Sequence, residues 1–135
     1  MMGSQRSGAM TSSAPDSPPN VLFIPIDDLK PMLGCYGDDS IITPNMDRLA
    51  ARGMVFLNNH CQQAVCGPSR ASLMTGLYPD TTRVYDLATK MRDMNPDILT
   101  LPQYFKQMGY ETTGLGKTYD SRCVDKMLDE PSWSI

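Results

Sequence analysis

Apolar positions cluster in a few short runs, and polar punctuation between them is dense. In "NVLFIPIDDLK", residues 20–30, Val21, Leu22, Phe23, Ile24 and Ile26 form a nearly continuous apolar stretch that stops at two aspartates. A run of this kind predicts a strand covered on both faces, as in a parallel sheet, rather than an alternating one. Pro25 cannot donate to a ladder, so it places the strand at an edge or near a bulge. "TPNMDRLAARG", residues 43–53, predicts a helix with Thr43 as N-cap, Pro44 at the first helical position and Gly53 as a left-handed stop. Met46, Leu49, Ala50 and Gly53 would share one buried stripe. "MVFLNNH" follows as a short strand, and a loop then leads into a helix from about Pro68 to near Gly76.

From Leu77 to Leu99 the threonines, prolines and aspartates predict mostly irregular chain. "TLPQYFKQMG" predicts a second well-marked helix. Thr100 and Gln103 form a capping box, Leu101, Tyr104, Phe105 and Met108 share a face, and Gly109 ends it. "YETTGLGK" predicts another strand, and the tail from Thr118 to Ile135 is weakly patterned. The order of elements indicates an α/β fold, a mostly parallel sheet with flanking helices. Such sheets bind ligands beyond the carboxyl ends of their strands. The polar oddities of the chain fall there: Asp27 and Asp28 after the first strand, Cys66 and Arg70 after the second, Lys117 after the last.

Composition narrows the partners. With 135 residues, 41% hydrophobic and 20% charged, the chain is of globular type and long enough for one core. A formal net charge of −3 leaves no basic field for nucleic acid, and no apolar run has the length of a membrane span. The four cysteines, Cys35, Cys61, Cys66 and Cys123, form no C-x-x-C, and His60 has no partner at zinc spacing. A Cys61–Cys66 bridge stays open at this stage. Residues 1–19, rich in Ser, Pro and Gly and without an apolar core, are expected to form a disordered arm, with structure from Asn20.

Two local arrangements carry chemistry. Adjacent carboxylates at the end of a buried strand repel each other, and a hard divalent cation would relieve that. A loop cap followed by a solvated acid would equally accommodate them. In "AVCGPSRASLMTG", residues 64–76, Cys66 stands at a helix N-terminus, where free N–H groups favour an anion, and Arg70 lies one turn on along the same face. Together they suit a tetrahedral oxyanion. A bare C-x-x-x-R would more simply be a buried cysteine and a surface ion pair.

The longer segment resembles the signature of the sulfatase family: cysteine, a small residue, Pro-Ser-Arg, two apolar residues, then Thr-Gly. "NVLFIPIDDLKPMLGCYGD" is similar to the opening strand and metal loop of that family, "TPNMDRLAARGMVFLNNH" to its first helix and second strand, and "GYETTGLGK" to its second signature. The resemblance extends from Asn20 to about Lys117. It implies an alkaline-phosphatase-like fold and a sulfuric ester hydrolase acting on a sulfated sugar. It also implies that a formylglycine-generating maturation enzyme oxidises Cys66 to an aldehyde. The hydrated aldehyde would attack sulfur, expel the alcohol, and release sulfate as its second hydroxyl restores the carbonyl. Asp27, Asp28 and residue 66 would hold Ca²⁺, Arg70 would orient the hydrate, and Lys117 would bind a sulfate oxygen.

Two departures accompany the resemblance. Leu115 replaces a smaller or β-branched residue, and Asp120 stands where the family often has a histidine. An aspartate beside a sulfate is expected to repel it. The further calcium ligands that the family draws from a later Ser-Asp-His-Gly-like segment are not in this sequence. Residues 20–135 are therefore expected to be the N-terminal part of a sulfatase catalytic domain. Two other readings stay open: an inactive fragment, and a phosphate or phosphonate ester hydrolase of the same superfamily, although the latter usually carries threonine or serine at the nucleophile. A thiol redox protein would need a resolving cysteine at a spacing that Cys61 does not provide.

Overall fold

The computed structural model describes residues 17–134, so the arm expected over residues 1–19 lies, apart from its last three residues, outside the described residues. Among the described residues five helices order the chain: α1 Pro44–Ala50, α2 Cys66–Thr75, α3 Pro79–Thr82, α4 Met91–Met94 and α5 Leu101–Gln107. Short 3-10 turns flank them at Gly34–Tyr36, Asp125–Met127 and Glu130–Ser132.

The expected mostly parallel sheet is not formed among the described residues, where no strand is assigned. The physical reason lies in the first apolar run. Val21, Leu22, Phe23, Ile24 and Ile26 are exposed, Leu22 at 85%. A segment becomes a strand only when neighbours take up its backbone groups, and among the described residues this run is largely open to solvent. The segment 110–115 likewise carries no regular structure. A groove of about 440 Å³, lined by Phe23, Ile24, Phe105, Thr113, Leu115 and Trp133 among others, lies between the two runs.

Helix α1 begins where expected, with Thr43 as N-cap and Pro44 first. The Thr43 hydroxyl does not cap the helix, however. It accepts from the Gly34 N–H at 3.0 Å and donates to Asp47, tying the 3-10 turn to α1. The expected buried stripe is open, because no residue of α1 is buried and Leu49 is 65% exposed. Gly53 is not the left-handed stop; Ala51, with right-handed backbone, closes the helix instead. Helix α5 keeps half of its expected box. Thr100 accepts from the Gln103 N–H at 3.4 Å, while the Gln103 side chain accepts from Arg92 rather than reaching back. Gly109, at φ 90°, is left-handed just beyond the helix, a conformation that glycine adopts without steric cost.

The core is built elsewhere than the apolar runs. Ala71 and Met74 of α2 pack with Val84, Met91, Ile98, Tyr119, Cys123 and Val124, with Leu87 and Trp133 against them. The weakly patterned tail thus folds back to cover α2. Two glycines permit close approach of the tail: a Cβ at Gly67 would stand 2.5 Å from Cys123 Sγ, and one at Gly114 would stand 2.6 Å from the Trp133 ring.

Burial of neutral groups in this core gives it a pH limit. Desolvation pushes the Tyr119 phenol up to about 12 and the Cys123 thiol up to about 11. Both folded values lie above those of the unfolded chain, so the stability held by the neutral forms is complete below pH 9. It is lost as pH rises through 9 to 12. Thermal melts between pH 8 and 11 should show the midpoint falling steadily above pH 9; a midpoint level up to pH 11 would contradict this.

Candidate active site

Helix α2 sets the geometry. Val65 is its extended N-cap, Cys66 its first residue, and Gly76 closes it in left-handed conformation at φ 70°. The helix begins two residues earlier than Pro68 predicts, so the cysteine belongs to the first turn. There the unpaired N–H groups and the partial positive charge of the helix act on its side chain. Arg70 follows one turn on and is 5% exposed.

The buried guanidinium of Arg70 joins two distant segments. Nη2 donates to Asp27 Oδ1 at 3.0 Å, and Nη1 donates to the carbonyl oxygens of Lys117 and Thr118, the latter at 3.1 Å. It therefore pins the end of the first apolar run to the loop after the last one. Lys117 completes the link through its ammonium, which donates to Asp27 Oδ2. The hydrogen bond from Lys117, then that from Arg70, holds the Asp27 carboxyl below the usual carboxylate range. The same contact raises the Lys117 ammonium.

Cys66 faces a second acid. Its thiol donates to Asp120 Oδ2 at 3.0 Å, and Asp120 is 2% exposed. Arg122 lies flat against that carboxylate, Nε to Oδ1 at 2.8 Å and Nη2 to Oδ2 at 2.9 Å, a bidentate pair. Its Nη2 also donates to Cys66 Sγ at 3.4 Å. Lys117 Nζ stands 3.7 Å from Asp120 Oδ2. Hydrogen bonding from Arg122 holds Asp120 far below its ordinary value.

Of the expected site residues, Cys66, Lys117, Asp27 and Arg70 meet in one continuous chain of contacts that runs through Asp120, and Asp28 does not join it. Arg70 takes part through Asp27 and the backbone; its guanidinium is not directed at Cys66. The charge of Asp120, expected to repel a sulfate, is neutralised by Arg122. Sequence reasoning missed Arg122 altogether. Its only signal is its position two residues beyond Asp120, which no periodicity singles out. The four cysteines are free thiols, Cys61 included, so the Cys61–Cys66 bridge does not form.

A hard divalent cation takes several oxygen donors. Asp27, Asp28 and Cys66 line one hollow of about 590 Å³ together with Ser69 and Arg70. Asp28 sits in a tight turn at φ 50°. Among the described residues no three His, Cys, Asp or Glu side chains converge as a ligand set, and both Asp27 oxygens are engaged by cationic side chains. The two carboxylates match the cation's preference for oxygen, the thiol sulfur of Cys66 does not, and no shell closes around the position among the described residues.

Cys66 at a helix start, Asp27, Asp28 and Arg70 thus line one hollow, and Lys117 reaches its edge through the bond to Asp27. The model of the family described as Sulfatase matches residues 19–129, and the chain belongs to the sulfatase family. Membership implies the alkaline-phosphatase-like fold. The chain is 49% identical over 131 residues to iduronate 2-sulfatase of Mus musculus, covering 96% of this chain and 24% of that protein. It is 46% identical over 119 residues to a sulfatase of Formosa agariphila, 83% of this chain and 24% of the other. With N-acetylglucosamine-6-O-sulfatase of Bacteroides thetaiotaomicron it shares 36% over 122 residues, 87% of this chain and 20% of the relative. The chain spans about a quarter or less of the length of these relatives. No helix among the described residues is long and apolar enough to cross a membrane.

Proposed function

We propose that this chain carries the nucleophile half of a site that hydrolyses sulfate esters, with a sulfated sugar as the substrate class. The observation that supports it most is the contact chain from Cys66 through Asp120 and Lys117 to Asp27 and Arg70. It links one nucleophile to fixed cationic side chains, Arg70 in the same hollow and Lys117 bonded to Asp27 beside it, as anionic ester hydrolysis requires. The names of the relatives, which include an iduronate and an N-acetylglucosamine sulfatase, support the sugar.

The thiol itself is not the nucleophile in this reading. A formylglycine-generating maturation enzyme converts the Cβ of residue 66 from thiol to aldehyde. One atom of dioxygen becomes the carbonyl oxygen, and the sulfur leaves as hydrogen sulfide. The other oxygen atom leaves as water with two electrons and two protons from an external dithiol reductant, which becomes a disulfide. Water adds to give a geminal diol. One hydroxyl oxygen bonds to the ester sulfur, its proton is released, and the S–O bond to the alcohol breaks as that oxygen takes a proton. The second hydroxyl then gives up its proton, the carbonyl reforms, and the C–O bond to sulfate breaks. Water thus attacks carbon and never sulfur. Lys117, held beside both acids, supplies positive charge for the sulfate oxygens, and Arg70 fixes the loop that carries Lys117. When bound, Ca²⁺ would be held by Asp27, Asp28 and residue 66 with further oxygen donors, and it would offset sulfate charge. Arg70 and Lys117 would then share Asp27 with the ion.

Comparing aryl sulfate with aryl phosphate hydrolysis by the matured protein tests the reading. Sulfate should be preferred by about 100-fold or more in kcat/KM. Equal rates, or a preference for phosphate, would favour the other branch of the superfamily.

A further inference from the structure

We propose that Asp120, with Arg122 against it, is a positioning pair that holds residue 66 in its hydrated form. This inference rests on the formylglycine reading above. In the structure, Cys66 Sγ stands in for one hydroxyl oxygen of the diol. It donates to Asp120 Oδ2 at 3.0 Å, and Asp120 is nearly inaccessible to solvent at 2%. A geminal diol has two O–H donors, whereas an aldehyde has none. A buried carboxylate oxygen aimed at this position therefore has a partner in the hydrate and loses it in the aldehyde.

Arg122 makes such an acceptor compatible with an anionic substrate. Its fork covers both Asp120 oxygens, and the Arg122 N–H adds a bond to Oδ1 at 3.2 Å. The carboxylate is fixed in rotation, so Oδ2 keeps its direction toward residue 66. With Lys117 Nζ 3.7 Å from the same oxygen, the acid stands between two cations and presents little net negative charge to a sulfate. The Arg122 side chain is 53% exposed, so the pair closes one side of residue 66 and leaves the hollow open.

The test is the ratio of hydrate to aldehyde at residue 66. The chain is co-expressed with the maturation enzyme, labelled with ¹³C at the cysteine β-carbon, and read by NMR. Labelling by an aminooxy probe, which captures the free aldehyde, gives a second reading. Asp120→Leu should raise the aldehyde fraction and the probe rate roughly fivefold, the population change that one ordinary hydrogen bond commands. Asp120→Asn, which keeps an acceptor, should stay within about twofold of the unsubstituted chain. Arg122→Gln, at a half-exposed position, should give an intermediate rise of about two- to threefold. A merely structural role would lower the urea midpoint without moving the ratio. Equal ratios in the folded Asp120→Leu chain and the parent would overturn the inference; should that variant not fold, an unchanged ratio in Arg122→Gln does so. Conversion with no change in ratio leaves the sulfatase reading standing, whereas an unconverted thiol in every chain removes both.

Discussion

Replacing Asp129 by alanine should destabilise the chain by about 3–5 kcal/mol, enough to detach the tail from α2. Asp129 is fully buried, and its carboxylate receives Arg92 Nε at 2.6 Å and Nη2 at 3.1 Å. The Ser132 hydroxyl donates to the same acid, and stands 2.6 Å from Thr100 Oγ1 and 2.7 Å from the Tyr119 hydroxyl. One buried network therefore joins α4, the start of α5 and the tail. The pair raises the Arg92 guanidinium, through the hydrogen bond to Asp129 first. Removing the acid strands a largely buried cation, which costs more than the pair contributes. Asp129 also has left-handed backbone at φ 56°, which aspartate tolerates better than alanine. Asp129→Asn should be milder, and Arg92→Met combined with Asp129→Leu should cost less than Asp129→Ala alone. Urea unfolding measures all three; a loss below about 1 kcal/mol for alanine would contradict the network's role.

Loss of Cys66 should have the largest effect on chemistry. Cys66→Ala removes the carbon that becomes the aldehyde, and with it the covalent route. Sulfate release from an aryl sulfate by the matured protein should fall by roughly 10⁴-fold or more, as when other enzymes lose their nucleophile. Cys66→Ser should fall about as far if the maturation enzyme requires a thiol. Stability should change little, because Cys66 is only half-buried and outside the core cluster. Initial-rate assays beside urea melts separate the two effects. An alanine variant retaining more than about a tenth of the rate would show that residue 66 is not the nucleophile.

How far the sequence revealed this follows from the range of each interaction. The turn of α2 that carries Cys66 and Arg70 could be read from spacing, because helix geometry alone relates residues four apart. The meeting of Asp27 with Lys117 was expected from strand ends, and it occurs through side chains, Arg70 and Lys117 acting on Asp27, without a sheet between them. The core escaped because its members Tyr119, Cys123 and Val124 lie in a tail with no periodicity. They are buried by pairings more than thirty residues apart in sequence, such as Arg92 with Asp129 and Thr100 with Ser132. Conversely, the most apolar run, Val21 to Ile26, looked like the heart of a sheet and is open to solvent. Hydrophobicity reports which residues favour burial, not whether a covering element is at hand. Arg122 is a plain surface arginine in sequence, and only the fold reveals that it lies flat on Asp120.

Peptide mass spectrometry across residue 66, after co-expression with the maturation enzyme, bears most directly on the whole account. The proposed chemistry predicts that the thiol mass gives way to that of the aldehyde and its hydrate, with the Cys66→Ala chain unchanged. A thiol that persists beside an active maturation enzyme would contradict it.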